Sequence, residues 1–314
     1  FGDRVGREQL PVLENIAAID AARENTAYLP GHKLPASVQV TSDLAAAVRA
    51  KRFVFGVTPS HGTREVLGRA AQAMDPDAIV INASKGLEDG TLKSIDAVYR
   101  DVLPARIAAR ATYLSGPTFA SELAAGMPAA IVLAGHDRET TALAQQALSH
   151  LHFRIYTTDD VLGVLIGGAL KNVIAIGAGV SDGLGFGSNS RVALITRGLA
   201  EITRFGLALG AHAQTFAGLS GMGDLVLTCS GDASRNRRVG LALGRGKSMT
   251  EILGEMTQVA EGVKTTKVAK ELAAKLGIEA PITDAMYAIM HAGVPVREAI
   301  HALLTRPIRS ERDQ

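Results

Sequence analysis

The chain has no tryptophan and a single cysteine, and aromatic residues make up only 4% of its 314 residues. Without tryptophan, protein emission interferes little with the fluorescence of a bound ligand. With one cysteine, Cys229, no internal disulfide can form, and a reducing compartment, the cytoplasm, is the expected setting. Cys229 ends the apolar run 225–228 and has no histidine near it in sequence, so a packed thiol is expected rather than a nucleophile. Charge of neither sign prevails. The formal net charge of +2 leaves no footprint for nucleic acid or an acidic membrane surface. No repeat, low-complexity tract or secretory signal is evident. The longest apolar stretch, 161–180, reaches membrane-spanning length but carries Lys171, Asn172 and five glycines, so a buried core helix is expected, with no membrane insertion.

What is there divides into two halves. The length and the 47% hydrophobic content suffice for two domains with well-buried cores. Up to about Thr158, β-rich runs at 37–41, 53–57, 78–83, 111–115, 129–134 and 153–156 alternate with helical stretches that include 42–50, 62–74 and 118–126. Strands that are apolar throughout, such as Ala78-Ile79-Val80-Ile81, imply a sheet covered on both faces, and the alternation implies βαβ units. The expected fold is α/β, a doubly wound parallel sheet, with its function beyond the C-terminal ends of the strands. From about Val161 the periodicity is helical, at 161–179, 188–209, 236–243, 248–256, 259–276, 281–292 and 295–304. The expected domains are 1–158 and 159–314.

Polar and glycine-bearing segments follow the strands: Thr58-Pro59-Ser60-His61, Ser84-Lys85-Gly86 and Ser115-Gly116-Pro117-Thr118. Each fits ordinary turn chemistry; three in a row, one bearing a lysine, favour a ligand crevice. The most informative stretch is 218–229, Gly-Leu-Ser-Gly-Met-Gly-Asp-Leu-Val-Leu-Thr-Cys, followed by Ser234-Arg235-Asn236-Arg237-Arg238. Alternating glycines make a poor helix and a poor strand, so backbone shaped for close approach is expected around Asp224. Ser234 is placed to cap a helix whose first turn offers a guanidinium, an amide and free N–H groups, which is phosphate-binding chemistry; a solvated basic face is the alternative. On its own helix Lys171 has Gly167, Gly168, Ile174 and Ala175 as neighbours, so its ammonium is desolvated and its pKa lowered. Taken alone, it also fits a lysine whose stem runs along an apolar face.

In its order of motifs, Ser84-Lys85-Gly86-Leu87-Glu88, Ser115-Gly116-Pro117-Thr118-Phe119-Ala120, Gly167-Gly168-Ala169-Leu170-Lys171-Asn172 and the 218–238 segment, the chain resembles the bacterial nicotinamide-dependent sn-glycerol-3-phosphate dehydrogenases from about Asn25 to near its C-terminus. The resemblance implies a Rossmann-like domain followed by an all-α domain of the 6-phosphogluconate dehydrogenase-like type. It implies Lys171 as the catalytic acid or base, and Lys85, Gly116, Thr118, Lys171, Asp224, Thr228, Ser234, Arg235 and Asn236 as substrate residues. It further implies Lys85, Ala120, Arg235, Val259 and Glu261 as cofactor contacts, with no metal. Arg7 aligns loosely with the end of the family's second strand, where a basic residue pairs with an adenosine 2′-phosphate, which favours NADP over NAD. A homodimer is expected. The family opens with a strand and a GxGxxG turn, whereas this chain starts at Phe1-Gly2-Asp3-Arg4. A truncated view of a longer protein, binding dinucleotide poorly, is therefore expected. Two other readings remain: a related dehydrogenase acting on another hydroxy acid or sugar phosphate, and a non-catalytic phosphometabolite-binding protein.

Overall fold

The structure is a computed structural model that describes residues 10–256, 260–308, 310 and 311. The first half holds five strands, β1 (Phe53–Gly56), β2 (Ile79–Asn82), β3 (Thr112–Ser115), β4 (Ala129–Gly135) and β5 (Phe153–Thr158). Its helices are α1 (Leu10–Ala22), α2 (Leu44–Val48), α3 (Thr63–Ala71), α4 (Ile95–Val102), α5 (Ala105–Ala109), α6 (Ala120–Ala124) and α7 (Arg138–Leu148). The strands form one sheet in the order β1-β2-β3-β4-β5. Alternate residues feed its two faces. Val54, Val80, Tyr113 and Ala134 pack with Leu67 of α3 and Tyr99 of α4, while Ile79, Ile81, Leu114, Leu133 and Ile155 pack with Ala144 of α7.

Two departures from the sequence reading are physical. The sheet is parallel at β1/β2, β2/β3 and β4/β5, but β3 and β4 run antiparallel, with Thr112 opposite Gly135 and Ser115 opposite Val132. The link between them carries the Gly116-Pro117-Thr118 turn and the five-residue α6, and it returns the chain on the same end of the sheet instead of crossing over it. The expected strand at 37–41 does not form. The Val38 carbonyl accepts from the Arg23 side chain in place of a ladder, as does that of Pro35 just before the segment.

After β5 the described elements are helical: α8 (Val161–Gly183), α9 (Ser188–Ala208), α10 (Ala213–Ala217), α11 (Asp224–Ser230), α12 (Arg235–Gly244), α13 (Met249–Glu255), α14 (Glu261–Leu276), α15 (Pro281–His291) and α16 (Val296–Leu304). α8 starts where Asp160 accepts the Gly163 N–H at 2.9 Å, an N-cap, and α8 is the axis around which the others pack. It is long and apolar enough to cross a membrane, yet 94% of its most apolar window is buried inside the protein, so it serves as the core helix. Glycines on α8 and α12 let the two backbones touch. A Cβ on Gly183 would lie 2.6 Å from the Leu241 carbonyl oxygen, and one on Gly244 would lie 2.5 Å from that of Val180. These contacts hold the last turn of α12 against the last turn of α8.

Candidate active site

Lys171 lies at the centre of α8 and is 6% exposed, and Asp224, the first residue of α11, is fully buried. Lys171 Nζ donates to Asp224 Oδ1 and, at 2.9 Å, to Thr228 Oγ1. Thr228 in turn donates to the Asp224 backbone oxygen at 2.6 Å. From the opposite side Lys85 Nζ donates to Asp224 Oδ2 at 2.7 Å and reaches the Gly116 oxygen at 3.5 Å. Two lysines thus share one buried carboxylate, Lys171 itself buried and Lys85 partly exposed. Burial pushes the Lys171 ammonium well below its ordinary value, Lys85 adds to that push, and Asp224 opposes it. The result is a lysine able to change protonation state near neutral pH, with a fixed carboxylate orienting it.

The segment carrying Asp224 coils, contrary to the expectation drawn from its glycines. Residues Leu219–Gly223 form a π-helical turn that runs straight into α11. Gly221 presses on the backbone of Phe216, a contact no side chain allows, so the glycines give the close approach expected of them within a wide helical turn. Because the segment is helical, Thr228 stands one turn beyond Asp224, where it reaches Lys171.

Lys85 is held by the exits of two strands. Ser84 Oγ donates to the Thr58 oxygen at 2.5 Å, and Asn82 closes the turn by donating to the Ser84 oxygen at 2.9 Å. Gly86 has φ 151° and sits against Ser60. Gly116, at φ 149°, is buried below Lys85, and Thr118 Oγ1 donates to its oxygen at 3.5 Å. Glu261, opening α14, accepts the Ser60 N–H at 3.1 Å, which ties the helical half to the β1 exit. Burial raises the Glu261 pKa, and the Ser60 bond, Arg235 and Lys85 pull it back.

At the start of α12 the basic cluster separates by role. Ser234 caps the helix by accepting the Arg237 N–H at 3.2 Å. Arg237 pairs with Asp182, at 2.7 Å from Nη2, and with Asp232, so it is structural. Arg235 is exposed and makes no ion pair among the described residues, although its charge acts on Glu261. Asn236 is buried: its Nδ2 donates to Asn172 Oδ1 at 2.9 Å, and its Oδ1 accepts the Gly262 N–H at 3.0 Å. It therefore bridges α8, α12 and α14. Ala120 is exposed on α6, while Arg7 and Val259 lie outside the described residues. Cys229 is fully buried, and burial pushes its thiol up to about 12, which suits a packed group and no nucleophile. Asn172 was not singled out as a functional side chain; its position directly after Lys171 in the Gly-Gly-Ala-Leu-Lys-Asn motif was the available signal.

The family described as NAD-dependent glycerol-3-phosphate dehydrogenase N-terminus matches residues 6–141, and its C-terminal counterpart matches residues 160–301. The chain belongs to this family. A glycerol-3-phosphate dehydrogenase [NAD(P)+] of Geobacter sp. (strain M21) is 50% identical over 289 residues, which is 92% of this chain and 86% of the relative. The same enzyme of Myxococcus xanthus is 47% identical, over 94% of this chain and 88% of the relative. In the solved structures, glycerol-3-phosphate dehydrogenase from Coxiella burnetii superposes with a TM-score of 0.89 at 35% identity, covering 93% of this chain and 89% of that one. The protein is accordingly an NAD(P)-dependent oxidoreductase with a Rossmann-like sheet and a helical second half. The residues present fit the reactive end of such a dinucleotide: the β1 and β2 exits, Gly86, Lys85 and Glu261 converge beyond the C-terminal ends of the strands.

Proposed function

We propose that the protein interconverts sn-glycerol 3-phosphate and dihydroxyacetone phosphate with NAD(P), and so supplies glycerol 3-phosphate for glycerophospholipid synthesis. The observation that carries this reading is the buried Lys171–Asp224–Lys85 cluster near an exposed, unpaired Arg235 at a helix N-terminus. A phosphate held by Arg235, Ser234 and the first N–H groups of α12 would leave the carbinol end of the substrate to the lysines. In the oxidation, neutral Lys171 accepts the C2 hydroxyl proton as the C2 hydride departs and the carbon–oxygen double bond forms. The nicotinamide supplies the hydride acceptor. In the reduction, the Lys171 ammonium returns that proton to the oxygen. Lys85 stabilises negative charge developing on the same oxygen, and Asp224 holds both lysines. Gly116 and Thr118 would bound the substrate; Lys85, Ala120, Arg235, Val259 and Glu261 would line the cofactor.

Arg235→Ala tests the phosphate assignment. KM for dihydroxyacetone phosphate is expected to rise about tenfold to a hundredfold, as befits a charge-assisted contact worth roughly 1.5–3 kcal/mol, with a small change for plain dihydroxyacetone. Equal effects on the two ketones would remove Arg235 from the phosphate site.

The same reading divides the chain into a dinucleotide domain, 1–158, and a substrate domain, 159–314, in a cytoplasmic homodimer that prefers NADP through Arg7. Exposed apolar side chains at Val192, Leu207 and Leu304, with an apolar cavity of about 770 Å³ between α9 and α16, support self-association. A dimer mass in light scattering and a higher kcat/KM with NADPH than with NADH are the corresponding checks.

A further inference from the structure

Gly167 and Gly168 stand four and three residues before Lys171, on the same face of α8. A long side chain in a helix leans back towards its i−3 and i−4 positions, so glycine at both leaves room on the face that carries Lys171. Each glycine also faces a different piece of the site. A Cβ on Gly167 would lie 2.9 Å from the backbone oxygen of Ser220, in the π-turn that leads to Asp224. A Cβ on Gly168 would lie 2.9 Å from Ser115 Oγ, with Lys85 Cγ and Ser115 Cβ next at 3.8 Å. Ser115 ends β3, is 3% exposed, and its hydroxyl has no hydrogen-bond partner. A buried unpaired hydroxyl is destabilising, so stability does not explain its presence at the point where α8, β3 and the Lys85 stem meet.

We propose that Gly167 and Gly168 are positioning residues that set the spacing of Lys171 and Lys85 across Asp224, with Ser115 as the spacer that seats α8 against the sheet. Gly167 fixes α8 against the turn that bears Asp224, and Gly168 fixes it against the strand exit that bears Lys85. A methyl on Gly167 meets the Ser220 backbone oxygen, and one on Gly168 meets the buried Ser115 hydroxyl, so α8 must shift and the contact between Lys171 and Asp224 loosens. Misplacement of reacting groups on the scale of an ångström costs on the order of a hundredfold in rate. This inference rests on Lys171 as the proton-transfer group.

The test is a set of alanine variants measured for kcat, KM, the pH dependence of kcat and thermal stability. Gly168→Ala is expected to lower kcat by roughly tenfold to a hundredfold with KM for dihydroxyacetone phosphate little changed, because Arg235 is untouched. Its break in the oxidation profile moves to lower pH, since Asp224 no longer supports the ammonium as closely. Adding Ser115→Ala removes the 2.9 Å conflict and leaves only 3.8 Å contacts, so the Ser115→Ala/Gly168→Ala double variant should match Ser115→Ala alone. The same addition should not rescue Gly167→Ala, whose conflict is with a backbone oxygen. Wild-type kcat and pH profile in Gly168→Ala, alongside an inactive Lys171→Ala, would overturn the spacing role while leaving the proton-transfer reading intact. So would a double variant markedly more impaired, or less folded, than Ser115→Ala alone. An active Lys171→Ala would instead remove the proton-transfer reading itself.

Discussion

Lys171→Ala is expected to reduce kcat by at least roughly 10²–10⁴ in both directions, the range for loss of a positioned proton-transfer group. The ammonium or amine at this position is the most deeply buried basic nitrogen of the cluster, and it is aimed by Asp224 and Thr228. Water does not readily take its place, because Lys171 and the Asp224 that orients it are both buried. Binding should survive: the phosphate contact proposed at Arg235 and the cofactor contact proposed at Glu261 sit on other helices, α12 and α14. The fold should survive as well. Removing the lysine leaves Asp224 paired with Lys85 at 2.7 Å, so no uncompensated charge is left behind. Initial rates with dihydroxyacetone phosphate and reduced cofactor, together with a fluorescence titration of the cofactor, separate the two effects. A near-normal kcat would show that another group moves the proton.

Asp224→Ala is expected to damage both activity and stability. Asp224 is fully buried and holds two lysines, one on each carboxylate oxygen. Deleting it leaves two cations facing each other with no anion between them. Breaking a buried ion pair from one side costs about 3–5 kcal/mol, which in a chain of this size lowers Tm by roughly 10 °C. Lys171 escapes part of that cost by staying neutral. A permanently neutral lysine has no proton to give, so ketone reduction at neutral pH should fall more steeply than alcohol oxidation at high pH. Calorimetry and rates in both directions check this. An unchanged Tm with symmetric rate losses would mean that Asp224 does not carry the charge of the site.

Much of this was legible in the sequence, and the reasons it stopped are physical. β2 was readable because Ile79, Val80 and Ile81 are all apolar, and α8 because its apolar run is too long for a strand. The direction of β4 was not, since an apolar strand looks the same either way and only the return through α6 decides it. At 37–41 the β-type residues were outweighed by Arg23, which binds the carbonyl of Val38 fifteen residues on and that of Pro35 twelve residues on. The helix at Asp224 was hidden because glycine propensity argues against it, while tight packing on Phe216 demands glycine. Lys171 and Asp224 are 53 residues apart, and Lys85 and Asp224 are 139 apart. No periodicity links such positions; the resemblance to the family grouped them, and the fold supplies their contacts. Asn236 illustrates the limit. Its place in the first turn of α12 suggested a phosphate donor, yet its amide is engaged by Asn172 and Gly262, a tie visible only once three helices are packed.

The measurement that bears most directly on Lys171 as the acid–base group is the pH dependence of kcat in both directions on the unaltered protein. Oxidation of glycerol 3-phosphate needs the neutral amine, so its rate should rise with pH through the lysine pKa and then level off. Reduction of dihydroxyacetone phosphate needs the ammonium, so its rate should fall through a break governed by the same group. Burial and Lys85 place that break well below the ordinary lysine value of about 10.4. Opposed profiles breaking in that depressed range, and lost in Lys171→Ala, are the predicted result. Profiles that are flat, or that keep the same break without Lys171, would contradict the account.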